Sequence, residues 1–323
     1  MILVLSHAAD DHAAAVGAEL DREGAAWALL DLRRLPSRPS LALGYGGRGG
    51  RDFRLFLEGG RALRPDRVAA VWWRRPGSFA PDPAMRPTHR DFAAQEWHQA
   101  THGLWRALPA RWVNPPGAEQ AASYKTWQLA AAQDAGFRVP RTLVTNDPAR
   151  ARDFLRAQGR RPTVYKAFHG APGERRWVRL VGRAERALLE AVRHAPVVFQ
   201  EYVGDAVDVR VTVAGTRLFA TAVDARRSAY PVDFRADWAG ARVEPCRLPS
   251  PVEGRVRSLV RRMGLAYAAL DLRRRPDGEH VFLELNPTGQ WLGFERRSGQ
   301  PISRAVARLL AGPRRRRGAG TGC

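Results

Sequence analysis

The sequence predicts a mixed α/β chain, with strands and helices alternating at first and an α+β arrangement of hairpins and helices after that. Three observations carry this. Apolar runs of strand length, such as ILVL at 2–5 and VAAVWW at 68–73, alternate with helix-length amphipathic stretches in the first third. Two long segments, VDVRVTVAGTRLFATAV at 207–223 and ALDLRRRPDGEHVFLEL at 269–285, have the alternation and the central glycine of β-hairpins. A hydrophobic share of 45% over 323 residues is enough apolar material for the cores of two or three small domains.

Taken in order, ILVL is a first strand, Asp10 and Asp11 suit the start of a helix from His12 to Arg22, and AAWALLDL is a second strand. RLFLEGG and VAAVWWRRP supply further strands, and residues 88–107 form an amphipathic helix whose Trp97, His98 and Trp105 serve packing. The loop GYGGRGG at 44–50 resembles a phosphate cradle, but a strand pattern follows it where a cradle needs a helix, so it is read as a connection. His7, Asp10, Asp11 and His12 are read as polar capping rather than metal ligands. Asn114-Pro115-Pro116-Gly117 breaks the chain at a domain boundary. Beyond it come a helix carrying Lys125 and ending at Gly136, the strands TLVT, TVYKAF, RWVRL and VVFQEYV, and a helix near 184–194. The last helices lie near 252–263 and 302–310. The expected domains are 1–113, 114–196 and 197–312, followed by a disordered Arg/Gly tail at 313–323.

Lys and Arg number 53 against 32 Asp and Glu, a formal charge of +21. The arginines are spread along the chain, and their one dense run, Arg314 to Arg317, sits in the tail. The charge therefore suits an acidic small partner, a nucleotide or an acidic peptide, better than nucleic acid. No apolar run approaches a membrane span, and no basic segment precedes ILVL as in a signal peptide. Two cysteines, Cys246 and Cys323, build no disulfide framework, so a reducing cytoplasm is the expected location. Within this arginine-rich background only Lys125 and Lys166 are lysines. Arg replaces Lys freely on a solvated surface but not where a slim ammonium is needed, so both are candidate phosphate contacts.

The strongest chemical signal is the second hairpin. With Asp277-Gly278 as a two-residue turn, Asp271 lies opposite Glu284, Leu270 opposite Leu285 and Leu272 opposite Leu283. Asn286 shares the face of Glu284, because side chains alternate. One face is leucine; the other presents Asp271, Glu284 and Asn286. Opposed carboxylates repel, and a hard divalent cation removes that cost, so the trio reads as a Mg²⁺ site with room for water and phosphate. On that reading, neutralising either acid relieves the empty hairpin. In VDVRVTV, Val207, Val209, Val211 and Val213 face one way and Asp208, Arg210 and Thr212 the other. Asp208 is placed to accept ribose hydroxyls, and Arg210 to fork onto phosphate or carboxylate.

Lys125, Lys166, FQEYV, DVR and Asp271 with Glu284-x-Asn286 together resemble the ATP-grasp fold over roughly residues 114–312. WWRRP, VDFR at 232–235, and FLELNPTGQWL followed by Glu295 narrow the resemblance to the ATP-grasp peptide maturases, the graspetide synthetases or microviridin-type macrocyclases. The resemblance implies an N-terminal pre-ATP-grasp, Rossmann-like α/β domain ahead of an ATP-grasp domain. It implies an ATP-dependent enzyme that phosphorylates Asp or Glu side chains of a precursor peptide and joins them to Ser, Thr or Lys. Lys125 and Lys166 then contact phosphates, with the loop from His169 through Gly170 and Gly173 to Glu174 over them. Gln200, Glu201, Tyr202 and Val203 line the adenine, with Asp208 on the ribose. Asp271, Glu284 and Asn286 hold Mg²⁺, while Arg210, Arg235 and Lys166 act on the carboxylate and its acyl phosphate. One departure is GQWLGFE, where Gly293 stands in place of a second aromatic and widens that wall.

The partner implied is a precursor peptide with leader and core, and a homodimer is compatible with this reading. The leader is expected near the helix at 184–194 and the apolar face of the hairpin at 209–223, with Glu185 and Glu190 on the outer side. Two other readings remain open: an ATP-grasp ligase that joins a free amino acid, and a non-catalytic nucleotide- or nucleic-acid-binding protein.

Overall fold

A computed structural model of the chain describes residues 1–34, 40–46, 51–56, 62–64, 67–168 and 178–312. The loop residues His169, Gly170, Gly173 and Glu174, part of GYGGRGG and the tail at 313–323 lie outside the described residues. The chain divides into two compact units, residues 1–116 with 301–323 and residues 117–300.

The first unit is built on four parallel strands, β1 (Ile2–Leu5), β2 (Trp27–Leu30), β6 (Ala70–Trp73) and β7 (Arg111–Val113), in the order β2-β1-β6-β7. A separate antiparallel sheet joins β3 (Ser40–Tyr45), β4 (Arg51–Phe56) and β5 (Ala62–Leu63). Helix α1 (Asp11–Arg22) starts where the sequence places it. Asp10 caps it by accepting the His12 N–H at 3.1 Å, and it also accepts the Ser6 hydroxyl at 2.7 Å and Arg74 of WWRRP at 3.2 Å. The carboxylate is thus spent on structure; burial raises its pKa, but the bonds from His12 and Ser6 and the charge of Arg74 hold it well below the usual range. Helix α2 (Pro87–Ala107) buries Leu104 and Trp105 in the core of this unit. The C-terminal helix Ile302–Ala311, grouped by sequence with the second half of the chain, packs on α1 in the first unit, where Arg304 and Arg308 reach Glu19 and Glu23.

The second unit opens with α3 (Pro116–Ala122) and α4 (Lys125–Asp134), the latter stopped by Gly136 at φ +84°. Strand β8 (Thr142–Thr145), helix α5 (Pro148–Gln158), strands β9 (Thr163–Lys166) and β10 (Arg179–Leu180), the short α6 (Arg183–Ala187) and β11 (Val197–Glu201) follow. Their sheet runs β10-β9-β11-β8, all antiparallel. The helix expected at 184–194 is α6 followed by a 3₁₀ turn at Leu189–His194, whose Leu189 and Val192 pack with Leu155 and Phe199.

A five-stranded antiparallel sheet completes the unit. Its strands β12 (Val207–Ala214), β13 (Arg217–Asp224), β14 (Arg242–Cys246), β15 (Tyr267–Arg274) and β16 (His280–Asn286) lie in the order β14-β13-β12-β15-β16. Helix α7 (Ser250–Arg262) precedes β15, and α8 (Leu292–Ser298) follows β16. Val209, Val211 and Val213 are fully buried with Val256, Leu259, Leu270 and Leu285. This corrects the docking expectation: the valine face of the hairpin is core, so no peptide can pack on it. Of the acids expected on the outer side, Glu190 is exposed and Glu185 half-buried, and both have partners within the unit. Glu190 pairs with Arg152 and Arg193, and Glu185 accepts the Gly182 N–H at 2.9 Å to cap α6.

The β15–β16 hairpin places Asp271 opposite Glu284 and Leu270 opposite Leu285, as read from the sequence. The turn between them differs. Arg275 N–H donates to Glu279 O and Gly278 N–H to Arg275 O, a three-residue loop of Pro276, Asp277 and Gly278 with Gly278 at φ +86°. Arg273 therefore pairs with Val281 and Leu272 with Phe282, not Leu283. A β-bulge at Leu283 then restores the register before Asp271 and Glu284 meet.

Candidate functional site

The site of the second unit is assembled from both of its sheets and α4. Lys125 is the first residue of α4, and Gln128, one turn on, fixes that helix to β16. Its amide donates to Leu285 O and accepts from Leu285 N, at 2.7 and 3.1 Å, and donates to Ala122 O at 2.7 Å. The clamp holds Lys125 beside Glu284, and their side chains meet at 2.6 Å. Lys166 ends β9 and donates to Gln200 Oε1 at 3.1 Å, while Gln200 is itself oriented by a bond to Thr142 Oγ1 at 2.8 Å. A small cleft runs between these parts, lined by Lys125, Thr126, Leu129, Val144, Lys166, Phe168, Val198 and Leu283. Its wall is apolar and its two polar tips are the two lysines. The bulge residue Leu283 is part of that wall.

Arg210 lies opposite Asp271 in the β12–β15 ladder, and one guanidinium nitrogen meets both carboxylate oxygens at 2.9 Å. A second donates to Gln290 O at 3.0 Å, and the group sits 5.3 Å over the Phe294 ring. The Nε of Arg210 is buried without a hydrogen-bond partner. Arg235 is held by a two-pronged bond to Asp233 at 2.8 and 2.7 Å and stands 3.9 Å from Glu284. Asn286, two residues beyond Glu284, accepts the Thr288 N–H at 3.0 Å.

The electrostatics follow from this crowding. Burial alone would raise the Glu284 carboxyl, but Lys125, Lys166 and Arg235 hold it down to about 2. Burial lowers the Lys166 ammonium; Glu284 and Asp271 pull it back up, while Lys125 and Arg235 repel it. Four cations thus face three carboxylates, which leaves positive charge for an anion. The sequence reading took Asp271 and Glu284 as repelling neighbours. Each instead has its own cation, Arg210 or Lys125, so neutralising either one strands a partner.

Two carboxylates in register and an amide on the same face are hard oxygen donors, the chemistry that Mg²⁺ takes with water and phosphate completing its shell. Among the described residues no group of three or more His, Cys, Asp or Glu could hold a metal ion. Asp271, Glu284 and Asn286 fit a cation shared with a phosphate.

At the strand exit after β11, Glu201 N–H and Tyr202 N–H donate to Arg141 O and Pro162 O, and Val203 O accepts from Arg273. Backbone capacity for a base is thus narrower than the sequence reading of Glu201 to Val203 allowed. Asp208 is buried and gives both oxygens to Arg273, at 3.0 and 3.1 Å. Burial pushes its pKa up to about 6 against the pull of Arg273. Sequence reasoning missed three contributors. Gln128 had no signal; Arg273 was hidden in the run Arg273-Arg274-Arg275, which reads as a solvated face; Asp233 lay in the quoted VDFR but was given no task. The wall at Gly293 is not widened either. A Cβ there would lie 3.4 Å from the Trp238 ring, which packs edge-on against Phe294 at 5.0 Å.

Comparison with known proteins agrees with this architecture. Residues 1–120 match the family described as the MvdD pre-ATP grasp domain. Over 182 residues the chain is 34% identical to a probable alpha-L-glutamate ligase of Xylella fastidiosa, covering 54% of this chain and 58% of that protein. The chain thus spans less than two thirds of the length of that curated relative. The macrocyclase MdnB of Microcystis aeruginosa superposes with a TM-score of 0.79 at 27% identity, over 97% of this chain and 99% of that one. The ATP-grasp ligase PsnB, complexed with a phosphomimetic variant of minimal precursor, Mg and ADP, superposes with a TM-score of 0.75 at 25% identity, over 96% and 97%. No helix among the described residues is long and apolar enough to cross a membrane.

Proposed function

We propose, for a chain that has the ATP-grasp fold of the graspetide synthetases and an MvdD-type first domain, that it is an ATP-dependent ligase joining a carboxylate of a peptide to a hydroxyl or amine of the same peptide. The observation that carries this reading is one linked cluster: both lysines line the apolar cleft, Lys125 meets Glu284, Arg235 stands 3.9 Å from Glu284, and Asp271, opposite Glu284 in the ladder, is paired with Arg210. MdnB is a macrocyclase, and PsnB was captured with precursor, Mg and ADP.

In this reading the apolar cleft takes the adenine, with Leu283, Leu129 and Val198 on its walls. Lys125 and Lys166 lie where a polyphosphate enters, and Lys125 exchanges Glu284 for a phosphate oxygen. Asp271, Glu284 and Asn286 would hold Mg²⁺, which would supply charge neutralisation at the phosphates. Arg210 and Arg235 orient the acceptor carboxylate. Its oxygen bonds to the γ-phosphorus as the bond to ADP breaks. The resulting acyl phosphate is then attacked by a Ser or Thr hydroxyl, or a Lys amine, and inorganic phosphate leaves. Phosphoryl transfer needs positioning and charge stabilisation above all, which a fixed cluster of cations supplies.

The test is to incubate the purified protein, ATP and Mg²⁺ with a precursor peptide encoded beside it and weigh the product. Loss of one water per crosslink, with one ADP formed, is expected. A second reading, ligation of a free amino acid, is favoured by the 34% identity to the glutamate ligase. Product mass separates the two: the second adds a residue to an acceptor, while the first only removes water.

A further inference from the structure

Residues 225–241, between β13 and β14, form a strap that carries Arg235 to the site, and one arginine ties this strap to the strand exit after β11. Arg273, only 5% exposed, donates to Val203 O at 2.8 Å and to Pro231 O at 3.2 Å. It also grips Asp208 through two nitrogens and lies 5.0 Å over the Tyr202 ring. The Tyr202 hydroxyl donates to the same Pro231 carbonyl at 3.2 Å. Beyond Pro231, Tyr230 donates to Val178 O at 2.8 Å, and Asp233 accepts from Val178 N–H at 3.4 Å while it clamps Arg235. A guanidinium can make these bonds at once because its donors form a rigid planar fork.

We propose that Arg273 is a positioning residue that couples the strand exit at Tyr202–Val203 to the strap bearing Arg235, so that a nucleotide held at the first orders the second. This deepens the nucleotide reading and rests on it. Physically, a base at the strand exit fixes Val203 and Tyr202; Arg273 is bonded to both the Val203 carbonyl and the Pro231 carbonyl, so fixing one end restrains the other. The arginine that meets the acceptor carboxylate is thereby held more firmly when nucleotide is present. That order would suppress capture of peptide by the empty enzyme.

Hydrogen exchange followed by mass spectrometry tests this, with AMPPNP and Mg²⁺ as the probe at concentrations saturating each variant. In wild type, AMPPNP should slow exchange both at 201–208 and across 225–241, the latter about tenfold, a common size for coupling between sites. Arg273→Met alone would leave Asp208 as a buried unpaired charge and can fail to fold. The double variant Arg273→Met with Asp208→Asn removes that charge, and Arg273→Lys keeps the charge but loses the fork. In both, AMPPNP should still protect 201–208, while protection of 225–241 falls below about twofold. Protection of the strap equal to wild type in the double variant would overturn the coupling and leave the nucleotide site standing. No protection at 201–208 in wild type would overturn the nucleotide reading and the coupling with it.

Discussion

Glu284→Gln tests the electrostatic design most directly, because Glu284 is the carboxylate on which three cations converge. The substitution keeps size and hydrogen-bonding capacity while removing the charge that faces Lys125 at 2.6 Å and Arg235 at 3.9 Å. Its pKa is held at about 2 against an ordinary 4.5. That gap corresponds to ~3 kcal/mol at about 1.4 kcal/mol per pH unit. The side chain is still 22% exposed, so ~1–3 kcal/mol is the expected loss of stability in the ligand-free protein at pH 7. Because the folded pKa is depressed, the contribution is present above about 4.5 and is lost as pH falls through about 2. Urea denaturation of the second unit, followed for wild type and variant between pH 7 and pH 2.5, measures this. The difference should be full at pH 7 and shrink below pH 4.5. A variant as stable as wild type at pH 7 would refute the argument, as would a deficit unchanged down to pH 2.5. The first outcome would restore the view that the two opposed acids merely repel.

Lys166→Arg keeps charge but puts a broad planar group where burial and Gln200 leave room for an ammonium; ATP turnover should fall ~10²–10³-fold with the unfolding midpoint little changed. Asp271→Asn should raise the Mg²⁺ concentration needed for half-maximal turnover and also destabilise the ligand-free protein by ~1–3 kcal/mol, since Arg210 loses its carboxylate in a buried setting; denaturation without metal reads the second effect. Gly289→Ala should act on Arg210 from the other side: its Cβ would lie 2.4 Å from Ala269 Cβ and 2.8 Å from an Arg210 nitrogen, so a cost of ~1–3 kcal/mol and a weakened acceptor KM are expected from denaturation and kinetics. Gln128→Ala removes the clamp between α4 and β16; a loss of ~1–3 kcal/mol with a raised KM for ATP would show that it sets the place of Lys125.

The parts of this site that were legible in the sequence are those that break a local rule. Two lysines in an arginine-rich chain, and two acids facing one another across a strand pair, both depart from the surrounding pattern; the lysines line the cleft, and each acid is paired with a cation of its own. Parts that obey local rules were hidden. Arg273 looks like one of three solvated arginines until the fold buries it under Tyr202. Gln128 is an ordinary helix residue until β16 presents Leu285 to it. The valines of β12 read as a free apolar face because strand alternation gives the face but not what covers it; α7 and α4 do. The C-terminal helix could not be assigned to a unit from its own pattern, since amphipathicity states that a face is buried and not against which partner.

The β15–β16 hairpin shows how a correct pairing can rest on an incorrect turn. Asp277-Gly278 suits a two-residue turn, yet Gly278 with positive φ serves equally as the last residue of a three-residue loop. Pro276 decides between them: it favours the second position of a type I turn and is poor within a paired strand, so the loop starts one residue earlier. A three-residue loop continued without interruption would pair Leu270 with Glu284 and turn the acid into the leucine core. That arrangement would bury a carboxylate among Leu270, Val211 and Val256 and turn Leu285 out of the core, at a cost far above that of one irregular ladder position. The chain takes the smaller cost and inserts Leu283 as a bulge. The insertion does more than correct the register. It frees an apolar side chain at the edge of the ladder, next to Glu284, and that side chain lines the cleft beside the two lysines. The same irregularity therefore brings the acidic pair together and supplies an apolar wall for the ligand that the pair would help to hold.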